Sequence, residues 1–214
     1  MSATIAMQDT RTGAPVLDLR LDALSYGGQL ILQDIALTVP RGQTVALVGP
    51  SGIGKSSLLR VFAGLERNYS GTCHVAGKTA MVFQEPTLLP WRNLRDNITI
   101  ATGASQAEAD AALADVGLAS RAEEYPNRLS LGQPRRLSLA RAFAVKPALL
   151  LMDEPFVSLD PALVDEMMTL FTVLRDAHRV TTVLVTHVEA EARRLADRVI
   201  TLAGSPARIV SDTP

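Results

Sequence analysis

Residues 49–57 read Gly49-Pro50-Ser51-Gly52-Ile53-Gly54-Lys55-Ser56-Ser57, which matches the pattern G-x-x-x-x-G-K-[ST] at every specified position. An apolar run over residues 44–48 precedes this stretch and predicts a buried strand. The leucines, valine and phenylalanine within residues 58–62 predict the buried face of a helix. Strand, glycine loop and helix together are the context of a phosphate-binding P-loop.

The chemistry of this loop follows from its residue types. Glycines allow the backbone to curl so that successive N–H groups point at an anion, and the helix start adds a positive dipole end. We therefore expect residues 49–57 to bind the phosphates of a nucleotide, ATP. Lys55 is expected to reach the β- and γ-phosphates, and the Ser56 hydroxyl to ligate Mg²⁺. The alternative is a glycine turn that precedes a helix by chance.

Length and composition predict one domain over residues 16–214, behind a loose tail of residues 1–15. The formal net charge of −1 gives no field that would recruit nucleic acid. A lone Cys73 excludes an internal disulfide and a paired-cysteine metal site, and it suits a small apolar position in a strand. The sequence contains no membrane-span pattern and no secretory signal, so we expect a soluble, cytoplasmic chain that would reach a membrane through a partner. We expect no regulatory domain after Pro214.

The hydrophobic pattern predicts an α/β fold with two additions. Antiparallel strands are expected before the P-loop strand, at residues 16–21 and 30–39. The sequence pattern of residues 86–144 is mostly helical and predicts a helical subdomain inserted in the core.

Shorter elements complete the prediction. Within the insert, helices are expected over residues 94–100, 105–116 and the part of 129–144 after Gln133, with another turn at 121–125. Residues 64–71 are expected to form a loop. The remaining strands are predicted at residues 72–75, 79–83, 148–152, 182–185, 199–202 and 207–210. Two further helices are predicted, one over residues 188–195 and one that begins at Pro161.

Two carboxylates, Asp153 and Glu154, directly follow the apolar strand of residues 148–152. The carboxyl end of a parallel strand is where α/β sheets bind ligands. In a P-loop protein the first acid suits Mg²⁺, and the second is free to orient and deprotonate an attacking water. The alternative is a pair of acids that merely caps a strand end.

The stretch Ser130-Leu131-Gly132-Gln133 stands before a predicted helix. A serine, a glycine amide and a helix N-terminus form a second anion site, although a plain helix cap is the alternative.

The order of these stretches resembles the ATP-binding subunit of ATP-binding cassette (ABC) transporters. The resemblance rests on residues 129–133 for the signature L-S-G-G-Q, residues 149–154 for the Walker B strand, Ser158-Leu159-Asp160 for the D-loop, His187 for the switch histidine, Gln84 for the Q-loop and Tyr26 for the aromatic that stacks on adenine.

This resemblance implies further roles. Gln84 would contact Mg²⁺ and the water, and His187 would bind the γ-phosphate, so that Lys55, Glu154 and His187 form the catalytic set. Four residues would contact the nucleotide of an opposite subunit: Ser130, Gly132, Gln133 and Asp160. One P-loop and one signature per chain then require two chains, head to tail.

One position departs from the family pattern. Leu131 stands where the signature has its first glycine. If that backbone needs a positive φ, leucine is strained there. If only the close approach of an amide is lost, the effect is smaller. Either way, the contact with the opposite subunit's nucleotide is the part of the site in question.

Residues 84–94 and 203–210 resemble the importer group that includes nitrate, sulfonate and taurine uptake ATPases. This implies the energising subunit of a bacterial solute importer, on the cytoplasmic face of the inner membrane. Its partners would be transmembrane permease subunits and, indirectly, a periplasmic solute-binding protein.

Other functions remain open at this point. A soluble, non-transport ABC ATPase would carry a second cassette, a long coiled-coil insert or a basic patch, and none is present. A nucleotide sensor with little turnover is supported by Leu131 alone. A P-loop small-molecule kinase would leave the signature without a role.

Single residues also have ordinary alternatives. The alternative for Tyr26 is an ordinary aromatic residue in a turn. For Gln84 it is a plain turn residue, and for His187 it is a cap at the end of a strand. Trp91 is either an anchor for a partner or a core residue, and we expect His74 and His178 to be structural or solvated.

Overall fold

Residues 14–214, which the computed structural model of this chain describes, build one nine-stranded sheet with helices on both faces. Most of the predicted tail therefore lies outside the described residues. The strands are β1 (Leu17–Tyr26), β2 (Gln29–Val39), β3 (Thr44–Val48), β4 (Tyr69–Val75), β5 (Thr79–Val82), β6 (Leu149–Asp153), β7 (Thr181–Val185), β8 (Arg198–Gly204) and β9 (Ala207–Thr213). The helices are α1 (Lys55–Phe62), α2 (Leu94–Thr102), α3 (Gln106–Asp115), α4 (Gln133–Ala144), α5 (Pro161–His178) and α6 (Glu189–Leu195). The α/β architecture predicted from the sequence is confirmed.

The strands lie in the order β4-β1-β2-β9-β8-β3-β7-β6-β5. Strands β3, β7, β6 and β5 are neighbours and run parallel, with Leu47 and Asp153 both in register with Val185, and Val82 in register with Met152. Because the carboxyl ends of parallel strands meet at one edge of a sheet, the loops after these four strands converge there. This convergence places the P-loop, Gln84, the two acids and His187 at one edge.

The parallel strands are buried on both faces, which explains their continuous apolar sequences. In β6, Leu149 and Leu151 pack into a core with α1, whereas Leu150 and Met152 pack into a second core with α4 and α5. The apolar face of α1 and the apolar faces of α4 and α5 thus fix the helices to opposite sides of the same strands.

Strand β4 begins at Tyr69, so the predicted loop over residues 64–71 is too long. The strand pairs antiparallel with β1 and lies at the edge of the sheet. Gly71 has a φ of +126°, and a Cβ there would stand 2.1 Å from the carbonyl oxygen of Arg20. A polar, glycine-containing edge strand has no hydrophobic alternation, which is why the pattern did not indicate its start.

Helices α2, α3 and α4 lie between β5 and β6 in the chain. The turn of helix predicted at residues 121–125 is wrong, because two short 3-10 turns flank this segment instead, at Ala119–Arg121 and Pro126–Arg128. The carbonyls of Ala122 and Glu124 accept the N–H groups of Arg95 and Leu94 at the start of α2. These carbonyls satisfy the orphan donors at the start of α2 and so attach this segment to that helix. Among residues 14–214, no helix is long and apolar enough to cross a membrane.

Candidate functional site

The loop between β3 and α1 has the curled backbone that its glycines predict. Gly49, Gly52 and Gly54 all have positive φ. A Cβ at Gly49 would stand 2.6 Å from the carbonyl oxygen of Leu202, and one at Gly54 would stand 2.6 Å from Cδ2 of Leu32. Gly49 therefore has no room for a side chain against a backbone carbonyl, whereas at Gly54 it is mainly the φ of +111° that favours glycine.

Lys55 begins α1 and is almost completely buried, with 4% of its surface exposed. Its Nζ donates to the carbonyl oxygens of Gly49 at 2.8 Å and Pro50 at 2.9 Å. Burial lowers the pKa of Lys55, while Glu154 and Asp153 raise it. A buried ammonium above a helix N-terminus is suited to a polyanion such as a nucleotide triphosphate.

Ser56 and Asp153 contact each other across the site. The Ser56 hydroxyl donates to Oδ1 of Asp153 at 3.0 Å. Burial, helped by Glu154, raises the pKa of Asp153, while the hydrogen bond from Ser56 and the charges of Arg60 and Lys55 lower it. Two oxygen ligands on adjacent octahedral positions of Mg²⁺ lie about 2.9 Å apart, since its bonds are about 2.0–2.1 Å. The pair therefore fits Mg²⁺, and a divalent cation would also offset the burial of the carboxylate.

Glu154 and His187 face each other from the ends of β6 and β7. Nδ1 of His187 lies 3.3 Å from Oε2 of Glu154. Glu154 has a φ of +44°, an unfavourable conformation for a residue with a side chain, and its N–H donates to the carbonyl of Val185 at 3.0 Å. Strain of this kind is common at functional sites. The glutamate side chain is 22% exposed, so water at the sheet edge can reach it.

Tyr26 lies at the end of β1, next to the hairpin turn, and is 40% exposed. The backbone N–H of Asn68 and the hydroxyl of Tyr26 both lower the pKa of Glu66. The same hairpin approaches the P-loop, because Ile31 and Leu32 lie against Gly54. An exposed ring beside the P-loop is compatible with stacking on adenine.

Gln84 is exposed and follows β5 by two residues. Its backbone carbonyl accepts a hydrogen bond from Nη1 of Arg135 at 2.6 Å. Trp91 lies farther along this loop and is 69% exposed, so it is not a core residue.

The signature stretch forms the turn into α4, with Gly132 at its N-cap. A Cβ at Gly132 would stand 2.6 Å from Cδ1 of Leu163, at the start of α5. Leu131 is 73% exposed and keeps its φ out of the positive region, so the leucine is not strained. Oε1 of Gln133 accepts the N–H of Ser130 at 2.8 Å and also a hydrogen bond from Arg121, and these bonds fix the turn.

Asp160 caps α5, because its Oδ1 accepts the N–H of Leu163 at 3.0 Å. The turn before it contains Ser158, whose φ is +62°. In residues 14–214, no hydrogen bond joins Ser130, Gly132 or Asp160 to the P-loop of the same chain. The P-loop, Asp153, Glu154 and His187 therefore form one group around Lys55, whereas Ser130, Gly132, Gln133 and Asp160 form a second group around the starts of α4 and α5. Within the described part of the chain, the contacts of Tyr26 and Gln84 are with Glu66 and Arg135, and not with the first group.

Sequence reasoning missed two supports of the site. The first is the buried Glu191, whose Oε2 accepts the Thr186 hydroxyl at 2.5 Å, while that hydroxyl accepts the N–H of Val188 at 3.0 Å. Burial raises the pKa of Glu191. These bonds hold the loop that carries His187, and no feature of the helix pattern indicates them.

The second support is Arg135 in the first turn of α4. A cation is unfavourable near a helix N-terminus, so this arginine was a signal available in the sequence. It donates to three backbone carbonyls, of Gln84, Pro155 and Val157.

A family model described as ABC transporter matches residues 32–157. This chain belongs to the ABC transporter family. It is 47% identical over 184 residues to an aliphatic sulfonates import ATP-binding protein, SsuB, of Mycobacterium avium (strain 104), which covers 83% of this chain and 73% of that relative. It is 41% identical over 221 residues to SsuB 2 of Burkholderia cenocepacia (strain HI2424), over 98% of this chain and 82% of the relative.

Solved structures support the same fold. The structure of cbiO1 from Clostridium perfringens, part of the ABC transporter complex cbiONQ, superposes with a TM-score of 0.83 at 23% identity. The match covers 94% of this chain and 89% of that chain. The predicted P-loop fold of the ABC type is thereby confirmed.

The biochemical class predicted from the sequence is confirmed as well. The chain is an ATP-binding and ATP-hydrolysing subunit that energises a bacterial solute importer, in the group that includes nitrate, sulfonate and taurine uptake ATPases. Transmembrane permease components are the general kind of partner of such subunits. A soluble, non-transport ATPase is not favoured.

Proposed function

We propose that this chain energises the uptake of aliphatic sulfonates by hydrolysing ATP at the sheet edge described above. Relatives from Mycobacterium avium, Burkholderia cenocepacia and Pseudomonas savastanoi are each named for aliphatic sulfonate import. The observation that carries the proposed site is the adjacency of two contacts. Ser56 lies 3.0 Å from Asp153, and Glu154, the next residue, lies 3.3 Å from His187.

Nucleotide binding uses the loop between β3 and α1. The N–H groups of residues 49–57 and the ammonium of Lys55 bind the phosphates, and the ring of Tyr26 stacks on adenine. Ser56 and Asp153 hold Mg²⁺, with Gln84 as a further ligand. When bound, this ion neutralises the negative charge that develops on the phosphate oxygens.

Hydrolysis uses the carboxylate of Glu154. It orients a water molecule and accepts its proton as the water oxygen attacks the γ-phosphorus. The bond from the γ-phosphorus to the bridging oxygen breaks, and ADP leaves with that electron pair. His187, whose Nδ1 lies 3.3 Å from Oε2 of Glu154, hydrogen-bonds the γ-phosphate beside it. The bonds of Thr186 and Glu191 hold the loop of His187 in place.

The complete site needs a second subunit. Two copies of the chain associate head to tail, so that Ser130, Gly132, Gln133 and Asp160 of one copy contact the nucleotide of the other. Asp160 and Gln133 already bond within their own chain, which pre-forms the turns that they present. The helical subdomain of about residues 86–144 belongs to the single domain of residues 16–214.

The assembly lies on the cytoplasmic face of the inner membrane, bound to transmembrane permease subunits. A periplasmic solute-binding protein delivers the sulfonate to these permeases and acts on this chain only indirectly. Nucleic acid has no part in this proposal, because a net charge of −1 gives no overall field that would recruit it.

The decisive experiment measures ATPase activity of the purified chain against protein concentration, with Mg²⁺. We expect specific activity to rise with concentration, as a dimer requires. Glu154→Gln should lower the rate by at least about 10²-fold, the contribution of a general base, while its Kd for ATP stays near the parent value. Glu189→Gln is a matched control. Glu189 is an exposed acid beside the loop that carries His187, and it pairs with Arg193. A Glu154→Gln variant that turns over at the parent rate refutes the proposed base.

The solute is tested separately in cells that carry the whole transporter. Uptake of a radiolabelled alkanesulfonate should depend on the parent chain and stop with Glu154→Gln. Uptake of nitrate but not of the alkanesulfonate would overturn the proposed solute and leave the ATPase assignment intact.

A further inference from the structure

Arg135 connects three parts of the site through backbone carbonyls. Its Nη1 donates to the carbonyl of Gln84 at 2.6 Å and to that of Pro155 at 3.0 Å, and its Nη2 donates to the carbonyl of Val157 at 2.8 Å. Gln84 belongs to the loop after β5, and the other two carbonyls belong to the loop after β6. The arginine itself belongs to α4, the helix that begins at the signature turn.

The position of this cation is electrostatically unusual. The first turn of a helix disfavours positive charge, and burial lowers the pKa of Arg135. Its neighbour Arg136 forms an ion pair with Glu166, whereas no carboxylate within residues 14–214 is in ion-pair contact with Arg135. Three carbonyl groups from the two loops that carry Gln84 and Glu154 therefore provide its direct contacts, and the charge of Glu85 favours the cation from a longer range.

A second arginine of the same helix strengthens one of these connections. Arg141 donates to the carbonyls of Pro86 at 3.1 Å and Thr87 at 3.0 Å. The loop after β5 is thus attached to α4 at two points. Of the two arginines, Arg135 is the one that also reaches the loop after β6, directly beyond Glu154.

We propose that Arg135 is a positioning residue that holds Gln84 and Glu154 in register with the signature turn. Its planar fork donates to two loops at once, a geometry that the single ammonium of a lysine does not reproduce. When α4 moves, both loops move with it, so the general base is placed only while the signature turn is in place. This inference rests on the proposed roles of Gln84 and Glu154.

The test compares Arg135→Gln and Arg135→Lys with Arg136→Gln in the full-length chain. Arg136 is a matched control, because it is also partly buried and donates to the carbonyl of Val116 at 2.8 Å, but it contacts neither catalytic loop. We expect Arg135→Gln to lower kcat by about 10- to 100-fold, the effect of a small misplacement of catalytic groups. The KM for ATP should stay within about twofold, because the P-loop is untouched. Arg135→Lys should recover part of kcat, and Arg136→Gln should keep it.

Hydrogen exchange gives a second readout that does not depend on turnover. Peptides that cover residues 83–89 and 155–160 should exchange at least about threefold faster in Arg135→Gln, because the two loops lose the contacts that hold them and their amide N–H groups open to water more often. The same peptides should be unchanged in Arg136→Gln. Equal effects of the two arginines, or unchanged exchange in both peptides, would overturn the inference.

The two proposals fail in different ways. If Glu154→Gln abolishes turnover while Arg135→Gln keeps the parent kcat, the positioning role alone is wrong. If Glu154→Gln retains the parent rate, the proposed base is wrong whatever Arg135 does.

Discussion

Replacing Gly49 by alanine tests whether the P-loop is fixed by the strand beside it. Gly49 has a φ of +152°, which side chains rarely adopt. The new Cβ would stand 2.6 Å from the carbonyl oxygen of Leu202 in β8, and real Cβ atoms essentially never come closer than 3.0 Å. The obstacle is backbone in a paired strand, so the loop itself must shift, by at least about 0.4 Å.

The expected loss of stability has two parts. The unfavourable φ costs about 1–3 kcal/mol, and the overpacked contact adds about 1–3 kcal/mol. Gly49→Ala should therefore lower the free energy of unfolding by about 2–6 kcal/mol. Gly52→Ala is the matched control, because Gly52 has a φ of +76° but no atom within 4 Å of the new Cβ. Its loss should be about 1–2 kcal/mol, from the backbone alone.

Urea unfolding, followed by circular dichroism without nucleotide, measures both variants. The two losses differ by about 1–4 kcal/mol, so with a slope of about 2 kcal/mol per molar urea the two midpoints should differ by about 0.5–2 M. Omitting nucleotide removes any contribution from lost phosphate contacts. Equal midpoints for Gly49→Ala and Gly52→Ala would refute the argument that β8 fixes the loop.

Two further substitutions test the metal site and the contact between subunits. Burial raises the pKa of Asp153 above its ordinary value of 3.8, so the folded state binds more protons, and parent stability without Mg²⁺ falls as pH rises from 3.8 through that higher value. Asp153→Asn should lack this pH-dependent loss of stability and should therefore be more stable than the parent near neutral pH, and it should lose Mg²⁺-dependent ATP binding. If the free energy of unfolding, measured with urea, depends on pH identically in the two proteins, the argument is contradicted. Ser130→Ala should raise the protein concentration for half-maximal ATPase by about 10²-fold, because a symmetric dimer loses two hydrogen bonds to charged groups at about 1.5 kcal/mol each, with monomer Kd for ATP unchanged. An equal loss in the monomer would show that Ser130 does not act between subunits.

The features that could be predicted from the sequence are the local ones. The apolar run of β3, the glycines and the start of α1 are adjacent in the chain, so their pattern predicts both structure and chemistry. The acids after β6 and the histidine after β7 follow by one further step, because neighbouring parallel strands end at the same edge of a sheet. The helix expected over residues 105–116 is likewise a local feature, and the side chain of Ser105 accepts the N–H of Glu108 at the start of α3.

The features that escaped prediction depend on contacts with backbone atoms far away in the chain. Arg135 bonds to carbonyls that lie 51, 20 and 22 residues from it. Every residue has a carbonyl, so nothing in the sequence identifies which three an arginine will reach. The start of β4 escaped for a related reason: its pairing is set by the close approach of Gly71 to β1, and not by a hydrophobic pattern.

The conformation and exposure of Leu131 show why its departure from the family signature need not abolish ATP hydrolysis. The sequence alone allows two interpretations of this leucine, a strained backbone or only the loss of the close approach of an amide. Its φ is not positive, and its side chain is 73% exposed, so the turn accepts leucine without distortion and the substitution changes the surface alone. Gly132, where a Cβ would stand 2.6 Å from the flexible end of the Leu163 side chain, is retained. The interpretation of this chain as a sensor with little turnover depended on Leu131 and therefore loses its structural basis. Any effect of the leucine falls on the association of two chains, where Ser130 is exposed beside it, and not on the site that each chain builds around Lys55 and Asp153.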